Sequence, residues 1–332
     1  MVATMTEVSS ETTTHTPATK PPRRRRLILL VASGVFLVAG VLAYRHYWMA
    51  HPVGSGPAGP VVAAEPFKSV WSERKILFVG LGDSMTAGFG AEPLGNSYFN
   101  RLVENPVDEF PEMQGLCLKK VLPQLSVANL AVSGSTSIEH FDFHLPKLEV
   151  QDAETFGIVV MTTGGNDVLH NYGRTPPREG AMYGVTLSAA RPWIASFRKR
   201  LDQMIEAIEE RFPGGCCIFL GNIYDPTDAV GDIERAPLPL PPWPDGLSVL
   251  HAYNQALADC AAKHDGVHLV DIHGTFLGHG LHAQQFWQPH YDAADPHYWY
   301  FDNLEDPNNR GYDAIRRLFL IEMARVLPGR LR

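Results

Sequence analysis

Cysteine is scarce in this chain. Cys117, Cys216, Cys217 and Cys260 are the only four in 332 residues, and no two stand in a Cys-x-x-Cys pair. That excludes the usual zinc-ribbon spacing and predicts buried thiols, with room for at most a stray disulfide. Charge is also low, at 19% of residues, and acidic side chains outnumber basic ones 36 to 28. Residues 1–60 hold six basic and two acidic side chains, so they carry +4 and the remainder carries −12. An acidic main domain argues against a nucleic-acid partner. No repeat recurs at a solenoid period. What is present is a hydrophobic fraction of 45%, enough for a folded globular domain.

Residues 1–26 read as a disordered, basic, cytoplasmic leader: Thr-, Ser- and Pro-rich at first, then Arg23 to Arg26. Residues 27–44 are almost purely apolar. As a helix they span roughly 27 Å, close to a bilayer core of about 30 Å. The arginines on the amino side predict a single-pass signal-anchor in the cell membrane, with the amino terminus cytoplasmic and the main domain extracytoplasmic, in the periplasm. A cleaved signal peptide is the competing reading. Residues 45–71, rich in Pro, Gly and Ala, read as a linker, and 72–332 as the folded domain.

Within that domain, apolar runs at 76–79, 125–130, 158–162, 218–222 and 267–271 read as strands. Helical periodicity marks 191–212, 247–263 and 312–326. The alternation predicts an α/β fold with a five-stranded parallel sheet covered on both faces. Two inserts follow strands. Residues 224–245 are proline-rich, and 273–306 carry five histidines and eight aromatics. Both are expected at the carboxyl edge of the sheet, where open α/β sheets bind ligands.

Three strand ends on that edge carry candidate chemistry. Gly82-Asp83-Ser84 follows the first strand and offers a serine nucleophile. Gly134 follows the second, and a residue without a side chain lets its amide approach a ligand. Gly164-Gly165-Asn166-Asp167 follows the third, and Asn166 offers an amide donor to an oxyanion. Taken singly, each is as readily a helix cap or a glycine turn. Together they resemble the blocks of the SGNH, or GDSL-type, hydrolases over about residues 75–325. The resemblance implies a flavodoxin-like three-layer α/β/α sandwich and a serine esterase or lipase needing no cofactor. Ser84 is then the nucleophile, with Gly134 and Asn166 joining the Ser84 amide in the oxyanion hole. The expected substrate is a small-molecule, glycan or lipid ester.

The last block departs from the family's Asp-x-x-His-Pro-Asn-x-x-Gly-Tyr pattern. Here Pro307-Asn308 and Gly311-Tyr312 keep the frame, but Asp306 stands where the histidine belongs and Asn303 where its aspartate belongs. Three readings follow. A histidine of the insert could serve as base, His297 in Asp295-Pro296-His297 first and His290 next. Asp306 or Glu305 could serve, if burial raises a carboxyl from its ordinary pKa near 4. Or no base exists, and the domain only binds, perhaps cell-envelope carbohydrate. An acyltransferase using the same seryl ester is a further alternative. His279-x-x-His282 and Asp295-x-His297 have no recognised metal-site spacing, so no metal is expected. Trp287 and Trp299 read equally as a sugar or acyl platform and as packing of the insert.

Overall fold

The structure, a computed structural model, describes residues 23–332. The leader up to residue 22 lies outside the described residues. The chain divides into two units at Met49/Ala50. In the first, the helix Arg23–Tyr44 runs on into a single π-helical segment, Arg45–Met49. An 18-residue span of mean hydropathy 2.5 with no buried residue lies within its stretch Leu27–Met49, 23 residues long. That length exceeds the ~20 residues a bilayer core requires. One such helix near an amino terminus suits an anchor and a signal sequence alike.

The second unit is built on five parallel strands: β1 (Lys75–Leu81), β2 (Leu125–Asn129), β3 (Thr155–Thr162), β4 (Cys216–Gly221) and β5 (Val267–Val270). Their order is β2-β1-β3-β4-β5. Every residue of β3 is buried, as the middle strand of a sheet covered on both faces must be. The helices Leu187–Glu210 and Gly246–Lys263 pack together, and Asn309–Arg330 packs on Tyr98–Val103, giving the outer layers. The chain direction across the sheet reverses between β1 and β3, so a crevice opens at their carboxyl ends. The register pairs Leu81 with Met161 and Thr162 with Gly221, which brings the turns after β1, β3 and β4 to one level.

Two expectations are corrected here. The long helix begins at Leu187, a turn before 191, with Thr186 capping it through the Ala189 amide. Pro192 lies inside the helix, in its second turn. The segment read as a linker is instead seated on the domain from Pro52 onward. Arg310 donates to the carbonyls of Val53, Gly56 and Pro57, the Tyr298 amide to that of Pro52, and the Ala58 amide to Asp313. Phe67 and Trp71 are buried in the main core. A chain starting at Glu65 should therefore be less stable than one starting at Ala50. The five lost hydrogen bonds alone imply roughly 3 kcal/mol or more in urea unfolding. Equal midpoints would show residues 50–64 to be a passive tether.

The four cysteines are all free thiols. Burial raises the Cys216, Cys217 and Cys260 thiols to about 12, 11 and 12, so they are inert at neutral pH.

Candidate active site

β1 delivers Ser84. A Cβ on Gly82 would stand 2.4 Å from Thr162 Oγ1, so only glycine lets the turn pass the end of β3. Asp83 then caps the short helix Ser84–Ala87, accepting from the Met85 amide at 3.3 Å. Ser84 is the first residue of that helix, where a backbone N–H has no intrahelical acceptor and is available to a ligand.

Gly134 adopts φ +81° in a turn closed by the Ser135 amide on the Val132 carbonyl. Space does not demand glycine there, since a Cβ would meet nothing within 4 Å; the left-handed backbone favours it. Asn166 lies on Gly165–Leu169 and donates from Nδ2 to the Ser135 carbonyl at 2.9 Å. That amide has a second hydrogen to offer. Buried His140 ties the two turns together, with Nε2 on Ser135 Oγ at 2.8 Å and Nδ1 on Thr163 Oγ1 at 2.9 Å. Burial, with His144 beside it, pushes its pKa down to about 3, so His140 is a neutral brace. Asp167 holds Ser137 from the same side, through both its amide and its hydroxyl.

Ser84, Asn166, Tyr224 and Glu305 line one cleft of about 50 Å³ at the carboxyl ends of β1, β3 and β4. Gly134 is not on its lining but one residue from the carbonyl that Asn166 grips. Next to the cleft, Asp306 is 2% exposed. Its Oδ2 accepts from Asn303 Nδ2 at 2.6 Å, while Asn303 Oδ1 accepts from the amides of Glu305 and Asp306. Asn303 thus holds Asp306 as a carboxylate would hold a ring. The Ser84 hydroxyl is the other hydrogen-bonding neighbour of this carboxyl. The contact falls short of a well-formed bond, leaving Oδ1 without a partner.

The electrostatics around Ser84 are those of carboxyls crowded together out of water. Burial raises Asp306, against the Ser84 and Asn303 hydrogen bonds that lower it. Burial and the adjacent Asp306 charge push Glu305 up to about 7. Asp83 is pushed up to about 6, by burial and then, past the opposing Thr162 bond, by Asp306. Thr162 donates to Asp83 at 3.0 Å, so its hydroxyl accepts from Thr86, which accepts in turn from Tyr98. Tyr172 donates to Glu305 Oε1, and Tyr224 to the Glu305 carbonyl. The Asp306 charge raises Glu305, whereas Asp306 itself is raised by burial alone, so Asp306 ionises first, beside a neutral Glu305. Glu305→Gln should therefore leave the acid limb of a kcat/KM profile in place. A limb moved to lower pH would show that Glu305 is already charged when Asp306 titrates.

His297 is placed elsewhere. It hydrogen-bonds Asp295 at 2.5 Å, and Asp295 is forked by Arg310. It lines a separate cleft with Ser55, Pro57 and His279 and is absent from the lining around Ser84. His290 is absent from that lining as well. His279 stacks on Trp299 at 3.4 Å, and Trp299 is 1% exposed, so that ring packs the insert. His282 bonds Asp232 and Gln285. The residues that sequence reasoning passed over are Tyr172 and Tyr224, which hold the Glu305 segment, and Asp83 in its role as a charged neighbour.

The profile of the GDSL-like Lipase/Acylhydrolase family matches residues 81–314. No curated protein matches the chain. Among solved structures, an extracellular lipase from Streptomyces rimosus is 20% identical, with 75% of this chain and 99% of that one covered and a TM-score of 0.45. A lipase from a goat rumen metagenome is 16% identical, covering 74% and 95%, also at 0.45. A phospholipase A1 from Streptomyces albidoflavus NA297 is 16% identical, covering 72% and 94%, at 0.40.

Proposed function

The chain belongs to the GDSL-like lipase/acylhydrolase family, and from that premise we propose that it is a serine ester hydrolase whose general base is the Asp306 carboxylate. The observation that carries this reading is the set of side chains around Ser84: a carboxyl within its reach, held by Asn303 and raised by burial, and, among the described residues, no histidine lining the cleft. An ordinary carboxylate is a poor base for a serine at neutral pH, and a raised one is a better match.

The chemistry follows. Ser84 Oγ bonds to the acyl carbon as its proton passes to Asp306. The carbonyl oxygen becomes an oxyanion facing the Ser84 N–H, the second hydrogen of Asn166 Nδ2 and the Gly134 N–H. Collapse expels the alkoxide, which takes the proton back from Asp306 and leaves a seryl ester. Water attacks that ester, again losing a proton to Asp306, and the acid departs as Ser84 is restored. Burial keeps the Asp306 proton affinity high throughout, and the Asp306 charge in turn raises Glu305 and Asp83.

The same proposal places the protein on a membrane. The helix at Leu27–Met49 anchors it, and the arginines before it keep that end cytoplasmic, so the hydrolase faces outward. Mature protein that keeps its amino-terminal sequence and resists alkaline extraction is expected. A mature chain beginning near residues 44–52 would point to a cleaved signal.

The test of the chemistry is a fluorophosphonate probe on the full chain in detergent. Wild type should label and Ser84→Ala should not. Folded wild-type protein that stays unlabelled would favour a binding domain on this fold.

A further inference from the structure

A second cavity opens off the Ser84 cleft. On its near side lie Gly165, Leu169, Ile223, Tyr224 and Pro226, all of which also line the cleft. Its far side is Val168, Ile233, Trp243, Leu247 and Leu250. Val168, Ile233, Trp243 and Leu250 are each less than a tenth exposed. The polar groups on the wall are already engaged. Asp225 accepts from the Thr227 amide and hydroxyl and from the Ala229 amide. Trp243 Nε1 donates to the Val185 carbonyl at 2.8 Å, and the Tyr224 hydroxyl donates to Glu305. What faces the space is mostly carbon, and the side-chain hydroxyl and indole donors on its wall are already taken, leaving none for a sugar.

The far wall is also stiff. The Trp243 ring lies 4.9 Å from that of Tyr183, and the Tyr183 hydroxyl is anchored on the Pro241 carbonyl at 2.6 Å. A side chain fixed by its own hydrogen bond and by its neighbour sets a definite depth. The proline-rich insert, which supplies Pro226, Ile233 and Trp243, therefore builds a closed end rather than a loose flap.

The cavity measures about 60 Å³. At about 10–15 Å³ for each water-sized group, it takes roughly four to six such groups. We infer that this cavity is the acyl pocket of the Ser84 site, and that it selects short straight-chain acyl groups of about four to six carbons over both acetyl and long fatty acyl groups. The inference rests on the ester-hydrolase reading and narrows its substrate class.

Each methylene buried in such a pocket is worth about 0.8 kcal/mol, or roughly fourfold. With p-nitrophenyl esters and the full chain in detergent, kcat/KM should climb about fourfold per carbon from acetate toward butanoate and hexanoate. It should fall again by decanoate. Leu250→Phe fills the pocket and should cost hexanoate about tenfold while changing acetate less than about twofold. Trp243→Ala removes the end wall and should move the optimum to a longer chain. A readout independent of turnover is the indole N–H resonance of Trp243, assigned by its loss in Trp243→Phe. Hexanamide should shift it in Ser84→Ala protein, and acetamide should not. A flat chain-length profile with no hexanamide shift would overturn the inference and leave ester hydrolysis standing. A hexanamide shift without hydrolysis of any ester would uphold the pocket and overturn the serine-hydrolase reading.

Discussion

Ser84→Ala is expected to lower kcat/KM for an activated ester by roughly 10⁴-fold or more, leaving only what oxyanion donors and binding supply. The hydroxyl at this position has two tasks in the structure. It is the proposed nucleophile at the carboxyl end of β1, and it is one of the two hydrogen-bonding groups that hold the Asp306 pKa down. Removing it raises that pKa further. The variant should therefore be inactive, fold normally and take up a proton at Asp306 more readily than wild type does. Proton release on titration, followed by the carboxyl stretch in the infrared, would detect that change. Retention of a tenth of the wild-type rate would mean that another residue carries the acyl group.

Asp306→Asn is expected to lower kcat/KM by about 10²–10⁴-fold, the usual range for loss of a general base. The same change should stabilise the fold at neutral pH. Asp306 is nearly fully buried, and its folded pKa is raised. A raised carboxyl binds its proton more tightly in the folded chain, so its stabilising effect is complete at low pH. That effect is lost as pH rises from the ordinary carboxylate range through the raised value. The neutral amide of the variant would carry no such cost and would keep an oxygen for Asn303 Nδ2. It should also relieve Asp83 and Glu305, each of which is raised partly by the Asp306 charge. A gain of a few degrees in Tm at pH 7 is expected, as ~1 kcal/mol gives in a domain of this size. The gain should shrink toward pH 4. A variant that loses activity and stability together would indicate that Asp306 is structural.

The fold was largely legible because its strands are buried on both faces and so read as plain apolar runs. Four of the five runs also end where the chain turns, at Gly82, Asn129, Gly164 and Asn222. Less legible was the stretch 50–64. It is held by its backbone carbonyls on Arg310, and carbonyls leave no trace in a pattern of side chains.

The site divides in the same way. Ser84 and Asn166 could be found from local turns, and they share a cleft. Asp295 and His297, two residues apart, are hydrogen-bonded to each other. What spacing could not convey is where the pair points, and it points to Arg310. The raised carboxyl pKa values around Ser84 depend on Asp83 meeting Glu305 and Asp306 out of water, from distant parts of the chain. No single segment encodes that meeting. The frame of the last block did show the substitution itself, Asp306 for histidine and Asn303 for aspartate. The structure adds that the two are hydrogen-bonded and that Asp306 is buried, with the Ser84 hydroxyl as its other neighbour.

The most direct measurement is the rate of fluorophosphonate labelling of Ser84 against pH in three full-length proteins: wild type, His297→Ala and Asp306→Asn. The carboxylate-base account predicts that His297→Ala labels as wild type does, with the same acid limb, and that Asp306→Asn labels at least about a hundredfold more slowly at every pH. Slow labelling of His297→Ala beside normal labelling of Asp306→Asn would contradict it.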